Sequence, residues 1–219
     1  MATAEVVIVG GGANGASTAF QLTQLGVRNV VLLERRKLAA GATGKSGSLV
    51  RMHYTNEAES RLAFESLKIF QSFDAIVGGE CGFEPIGFLQ LVGHADPDGF
   101  HEGVDPADVA LCREKLAARL PVFAGATMRG GWAGMIMMSP DGRPIIDRIP
   151  SIDGLHVMLG DSGTSFKTAP AIGRCLAEWI VEGKPRLADL TPFRSTRFAE
   201  GRPWIDEFTY GRERLTISR

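Results

Sequence analysis

Apolar residues recur along this chain with two periods, and together they predict an alternation of strands and helices. Glu5-Val6-Val7-Ile8-Val9 is a β-branched run ending at Gly10, which predicts a strand buried on both faces. From Ala13 to Leu25, residues Ala16, Ala19, Phe20 and Leu22 fall near one helical face, and Gly26 supplies a stop. Asn29 to Glu34 reads as a second buried strand, so about 30 residues hold a βαβ unit with a right-handed crossover. Leu38 to Ser48 reads as a small-residue loop. Glu57 to Asp74 reads as a helix with Ala63, Leu67, Phe70 and Phe73 at spacings of three and four.

Further on, Gly87 to Gly93 predicts a strand, and His94 to Asp105 a polar loop. Asp105 and Pro106 suit the N-cap and first position of a helix reaching Leu120, with Val109, Cys112, Leu116 and Leu120 on one side. Gly130 to Met138 reads as an irregular strand and Leu155 to Leu159 as a short one. Pro170 to Val181 reads as a helix turning Ile172, Leu176, Trp179 and Ile180 inward. From Arg194 the chain is charged and without pattern, so no element is assigned there.

Composition narrows the function. The 219 residues carry 24 Lys plus Arg against 25 Asp plus Glu, a net charge of −1. That balance gives no reason to expect nucleic acid or an anionic membrane as partner. No apolar run approaches a spanning helix and no secretory leader is apparent, so a cytoplasmic protein is expected. Three cysteines, Cys81, Cys112 and Cys175, lack metal or disulfide spacing, and no metal site is expected. Glycine is abundant, with 27 residues placed at the ends of elements. That is where tight turns beside a ligand would use it.

The most specific motif is Gly10-Gly11-Gly12-Ala13-Asn14-Gly15, a G-x-G-x-x-G between strand and helix. Gly10 permits the turn, Gly12 lets the backbone approach a pyrophosphate, and Gly15 lets the helix pack on the strand. The helix N-terminus adds free N–H groups and positive dipole. Glu34, nineteen residues past Gly15, suits a ribose hydroxyl and favours FAD or NAD over NADP.

With this motif and Gly41-Ala42-Thr43-Gly44, the chain resembles the flavin-dependent D-amino-acid oxidase superfamily, in its sarcosine oxidase and dimethylglycine dehydrogenase branch. Ser139-Pro140-Asp141-Gly142-Arg143-Pro144-Ile145-Ile146-Asp147 and Gly160-Asp161-Ser162-Gly163-Thr164-Ser165-Phe166-Lys167 carry the same resemblance in the later half. It implies an α/β fold, a Rossmann-like FAD-binding domain of glutathione-reductase type with a truncated substrate-domain remnant. The FAD-binding domain would comprise 1–80 and 137–193, the remnant 81–136, and a charged tail 194–219. Relatives would carry about 150 more residues after residue 93, an ordinary domain's worth.

The resemblance implies non-covalent FAD held by Gly10, Gly12, Ala13, Asn14, Gly15, Glu34, Arg35, Thr43, Gly44, Ser46, Gly160, Gly163, Thr164, Ser165, Phe166 and Lys167. Gly134 stands where sarcosine oxidases attach flavin to cysteine, Gly44 stands near the alternative histidine position, and His53 is offset from it. Thr164 replaces a histidine common in the family. Arg51, Tyr54 and Lys167 match the substrate site, the two cations holding a carboxylate while the amine-bearing carbon faces the flavin. The implied reaction passes a hydride from the carbon beside an amine to flavin N5. The alternatives are an FAD-binding remnant or subunit without turnover, and an NAD-dependent dehydrogenase. A small amine or amino-acid substrate is expected, with a homo-oligomer or a partner subunit covering the deleted region.

Overall fold

The computed structural model describes residues 3–52, 54, 56–85, 106–127 and 136–204, without the side chain of residue 108. The expected strand over 87–93, residues 130–135 of the one expected over 130–138, and the cap at Asp105 lie outside them; of the described remainder, Met138 forms only an isolated bridge to Asp161. The chain divides into two units, Met1–Gly93 with Ile136–Arg219, and His94–Met135.

In the first unit the βαβ expectation is met. Strand β1 (Val6–Val9) pairs in parallel with β2 (Val30–Leu33), Val6 opposite Val30 and Val9 opposite Leu33, and α1 (Ala13–Gln24) joins them. Burial differs from the expectation. It alternates along both strands, and Val7, Val9, Val31 and Leu33 share an exposed face, Val9 at 85%. An unbroken apolar run signals two covering layers, and the main cover of this sheet among the described residues is α1. Ala16, expected inward, is exposed, while Thr18, Gln21 and Leu22 are buried.

The loop over 38–48 contains a single helical turn, α2 (Ala42–Lys45). The helix expected over 57–74 divides at Ser72 into α3 (Glu57–Gln71) and α4 (Phe73–Val77). Asn56 caps α3 by accepting the Glu59 N–H at 2.8 Å.

The turn Ser139–Gly142 leads into β3 (Ile145–Arg148), which pairs antiparallel with β4 (His156–Leu159). This is a second two-stranded sheet. Helix α6 (Ser165–Glu182) begins five residues before the expected start and carries Pro170 within it. It packs on α1 and α3. A β-carbon on Gly173 would lie 2.3 Å from Ser17 Oγ, so glycine is what lets α1 and α6 approach.

The core gathers Leu62, Ile146, Ile172, Leu176, Leu190 and Phe193. Each such side chain contributes on the order of 1.5–3 kcal/mol by leaving water.

The segment from Arg194 is a correction to the sequence reading. It forms a 3-10 turn (Ser195–Arg197), and Arg197 is 1% exposed. Its guanidinium donates to both Asp141 oxygens, at 2.7 and 2.9 Å, and to Arg143 O at 3.0 Å. Ser195 donates N–H and hydroxyl to Asp147. Partner carboxylates, rather than periodicity, order this stretch.

In the second unit α5 (Pro106–Arg119) has the expected extent. Val109 is half-buried, but Cys112, Leu116 and Leu120 are exposed, so the expected stripe has no cover among the described residues.

Candidate functional site

The glycine loop is shaped as a cradle. Gly10 follows β1 at φ +108°, a conformation that favours glycine. A β-carbon on Gly15 would meet Gly10 O at 1.9 Å, and one on Gly12 would meet Thr43 Oγ1 at 3.1 Å. Gly12 is the N-cap of α1 and offers no side-chain cap. Ala13 N–H donates to Thr43 Oγ1 at 3.0 Å, and one on Gly44 donates to Ala39 O at 2.8 Å. Thus α2 and the loop before it are drawn against the start of α1.

Glu34 accepts from Gly11 N–H at 2.8 Å and from Arg36 N–H at 2.9 Å. Bonds from Arg36 and then Gly11 hold its carboxyl below the ordinary range, so it is an acceptor at neutral pH. Arg35 is exposed, and Ser46 ends α2, its hydroxyl accepting from Ser48 N–H. Asn14 Oδ1 is buried without a hydrogen-bond partner among the described residues. Its amide donates to Met158 Sδ at 3.5 Å, which ties α1 to β4. A cradle closed to side chains, an orphaned buried acceptor and an ionised carboxylate at the end of β2 fit a dinucleotide.

The second half of the site lies at the start of α6. Gly160 and Gly163 take positive φ, +56° and +80°. Thr164 and Ser165 are buried; the Thr164 hydroxyl donates to Asp161 O and the Ser165 hydroxyl to Asp161 Oδ2. Phe166 stacks on Phe70 with centroids 6.4 Å apart.

Arg51, Tyr54 and Lys167 are brought together and buried. Arg51 Cζ lies 5.5 Å and Lys167 Nζ 5.6 Å from the centre of the Tyr54 ring. Burial first and Arg51 second pull the Lys167 ammonium down to about 8, against the pull of Glu59 and Asp161. Burial pushes the Tyr54 hydroxyl well up, so it stays neutral, and it has no hydrogen-bond partner among the described residues. Two cations and an unsatisfied hydroxyl around one ring are suited to an anion.

Several residues here escaped the sequence reading. Glu59 and Arg143, both buried, form an ion pair at 2.5 Å, and Asn56 Nδ2 donates to the same Glu59 oxygen at 2.6 Å. Asn56 followed by Glu59 is a capping-box spacing that could have been read. Arg143 stands inside a motif quoted above, but its partner is 84 residues away. His53 and Gly134, the positions bearing on covalent flavin, lie outside the described residues. Among the described residues, no group of His, Cys, Asp or Glu could hold a metal, and no helix is long and apolar enough to cross a membrane.

Fold and glycine cradle together fit a nucleotide-binding α/β domain. The family model for FAD dependent oxidoreductases matches residues 5–100 and 90–179, and the chain belongs to that family. Sarcosine oxidase subunit beta of Rhizobium meliloti is 30% identical over 174 residues, 75% of this chain and 41% of that protein. Mitochondrial dimethylglycine dehydrogenase of Rattus norvegicus is 34% identical over 88 residues, 40% of this chain and 10% of its own length. The chain therefore spans less than half the length of these relatives. The crystal structure of L-proline dehydrogenase from P. horikoshii shares the fold, with TM-score 0.77 at 14% identity, over 91% of this chain and 98% of that one.

Proposed function

We propose that the chain binds FAD non-covalently and oxidises a small amine or amino acid carrying a carboxylate. The observation that carries this reading is the pair of buried cations, Arg51 and Lys167, both within 5.6 Å of the Tyr54 ring centre. A carboxylate held by two fixed cations leaves the adjacent carbon with one orientation, which turns binding into positioning. Tyr54, neutral at working pH, has a hydroxyl left to bond the ligand. The residues that would hold the cofactor are Gly10, Gly12, Ala13, Asn14, Gly15, Glu34, Arg35, Thr43, Gly44 and Ser46, with Gly160 and Gly163 to Lys167 from the second half. When bound, FAD supplies the two-electron acceptor. The chain's own residues orient the substrate and exclude water from its charged end.

A second reading, a cofactor-binding subunit without turnover of its own, rests on the exposed face of β1 and β2 and on the short span relative to relatives. A relative named as a subunit supports a partnered or oligomeric form. Membership of an FAD-dependent family gives the NAD-dependent reading no support.

The test is the visible spectrum of the purified protein followed by anaerobic titration with secondary amino acids such as sarcosine. Bleaching of a bound, acid-releasable flavin is expected. A yellow protein that no carboxylated amine bleaches would favour the second reading. A protein that stays empty when FAD is added would overturn both.

A further inference from the structure

The loop from Gly160 to Ser165 turns back on itself through three positive φ angles: Gly160 at +56°, Ser162 at +49° and Gly163 at +80°. Two of these residues are glycines, which take the conformation at no steric cost. Ser162 is not, and its β-carbon crowds the following carbonyl there. A turn alone asks only for a third glycine. Non-glycine residues persist in the left-handed region where their surroundings over-determine them, and such residues gather at binding sites.

Ser162 is buried and held on every polar atom. Its N–H donates to Met137 O at 2.9 Å, and its hydroxyl donates to Gly160 O at 3.0 Å while accepting the Ser139 N–H at 3.2 Å. A β-carbon on Gly160 would lie 3.0 Å from that of Ser139, so the loop is pressed against the turn Ser139–Gly142. That turn is itself braced. The Ser139 hydroxyl donates to Arg143 O at 2.6 Å and accepts the Arg143 N–H at 2.8 Å, and two bonds from Arg197 hold Asp141. On the other side, Asp161 organises the start of α6. Its carbonyl accepts the N–H and hydroxyl of Thr164, and its carboxylate accepts the hydroxyl of Ser165. Ser162 is the joint between a braced turn and the first residues of α6.

We propose that Ser162 is a positioning residue of the FAD site: its left-handed backbone, clasped to the Ser139 turn, holds Gly160 to Ser165 in the one shape that receives the cofactor. The inference deepens the proposed function and rests on it, because Gly160 and Gly163 to Lys167 are the second half of that site. The Ser162 hydroxyl is spent on Gly160 and Ser139, so it acts through the backbone. With the clasp lost, the loop relaxes toward negative φ. Only molecules still in the left-handed shape then bind, and apparent affinity falls by that fraction.

The test strips the full chain of flavin and titrates it with FAD, reading affinity by flavin fluorescence and the bound ring by visible circular dichroism. Ser162→Ala loses the hydroxyl and keeps a β-carbon that resists positive φ. It is expected to bind FAD about tenfold or more weakly than the unaltered protein. Ser162→Gly loses the same hydroxyl but adopts the turn freely. It is expected to bind within about threefold of the unaltered protein, with the same dichroism. If Ser162→Ala does not fold, Ser162→Cys takes its place, keeping the size and the β-carbon with a weaker hydrogen bond. It is expected to bind about fivefold or more weakly than Ser162→Gly.

A glycine variant as weak as the alanine one would show that the hydroxyl matters and the turn does not, and would overturn the proposal. Equal affinity in every variant, with only the melting temperature lowered, would reduce the clasp to a structural brace and overturn it too. An unaltered chain that takes up no FAD would sink the cofactor reading, and the inference with it. The failure of the reading and the failure of the inference are thereby distinguishable.

Discussion

Helix α6 and the β1–β2 sheet are both rich in apolar residues, but their surroundings differ. α6 lies against α1 and α3, and Ala171, Ile172, Cys175, Leu176 and Ala177 are buried along it. Burial pushes the Cys175 thiol up to about 12, as expected of an inert packed group. The sheet has α1 packed on it, and Val7, Val9, Val31 and Leu33 are exposed. Apolar content thus reports what an element is able to bury. The neighbouring layer decides what it does bury.

The comparison can be broken most severely at α6. Phe193→Ala or Ile172→Ala is expected to cost about 3–5 kcal/mol by emptying the core that holds the helix. Urea denaturation measures it, and a loss below about 1 kcal/mol would mean that α6 is not the anchor. Next in size is a pH effect at Lys167, whose proton affinity is lower folded than unfolded. The unfolded chain holds more protons from about pH 8 to 10.5, so stability is lowest below that window and rises through it. The gain is roughly 3 kcal/mol and is expected to vanish in Lys167→Met, as denaturation at pH 7.5 and 10 would reveal.

Gly173→Ala forces α1 and α6 apart and is expected to cost about 1–3 kcal/mol. An unchanged melting temperature would show that the contact with Ser17 relaxes freely. The smallest effect is expected on the bare sheet. Val9→Thr is expected to change stability by less than about 0.5 kcal/mol. A loss above about 2 kcal/mol, read at several protein concentrations, would show that this face is covered in solution.

How much was legible follows the same division. The βαβ unit, the start of α3 and the end of α6 were readable because local periodicity, the glycine loop and Gly183 mark them. Strand β3 was missed because four residues after a proline carry no period. The burial of β1 was overestimated because a run such as VVIV reads alike with one cover or two. Arg51, Tyr54 and Lys167 were reachable through resemblance to a family. Glu59 left only its capping-box spacing from Asn56 as a local trace. Arg143 and Arg197 left none, since each is buried by a partner tens of residues away.

Arg197 has a consequence for the order in which the molecule is made. The nucleotide cradle uses residues 10–44, so a nascent chain holds all of it early, joined by contacts between close neighbours in sequence. The buried Glu59–Arg143 pair is different. Arg143 is steadied by the Asp141–Arg197 pair, so this support is finished only when residue 197 has emerged and folded back. A chain still on the ribosome can therefore close its glycine loop long before that pair is buttressed, and synthesis itself separates the two events in time.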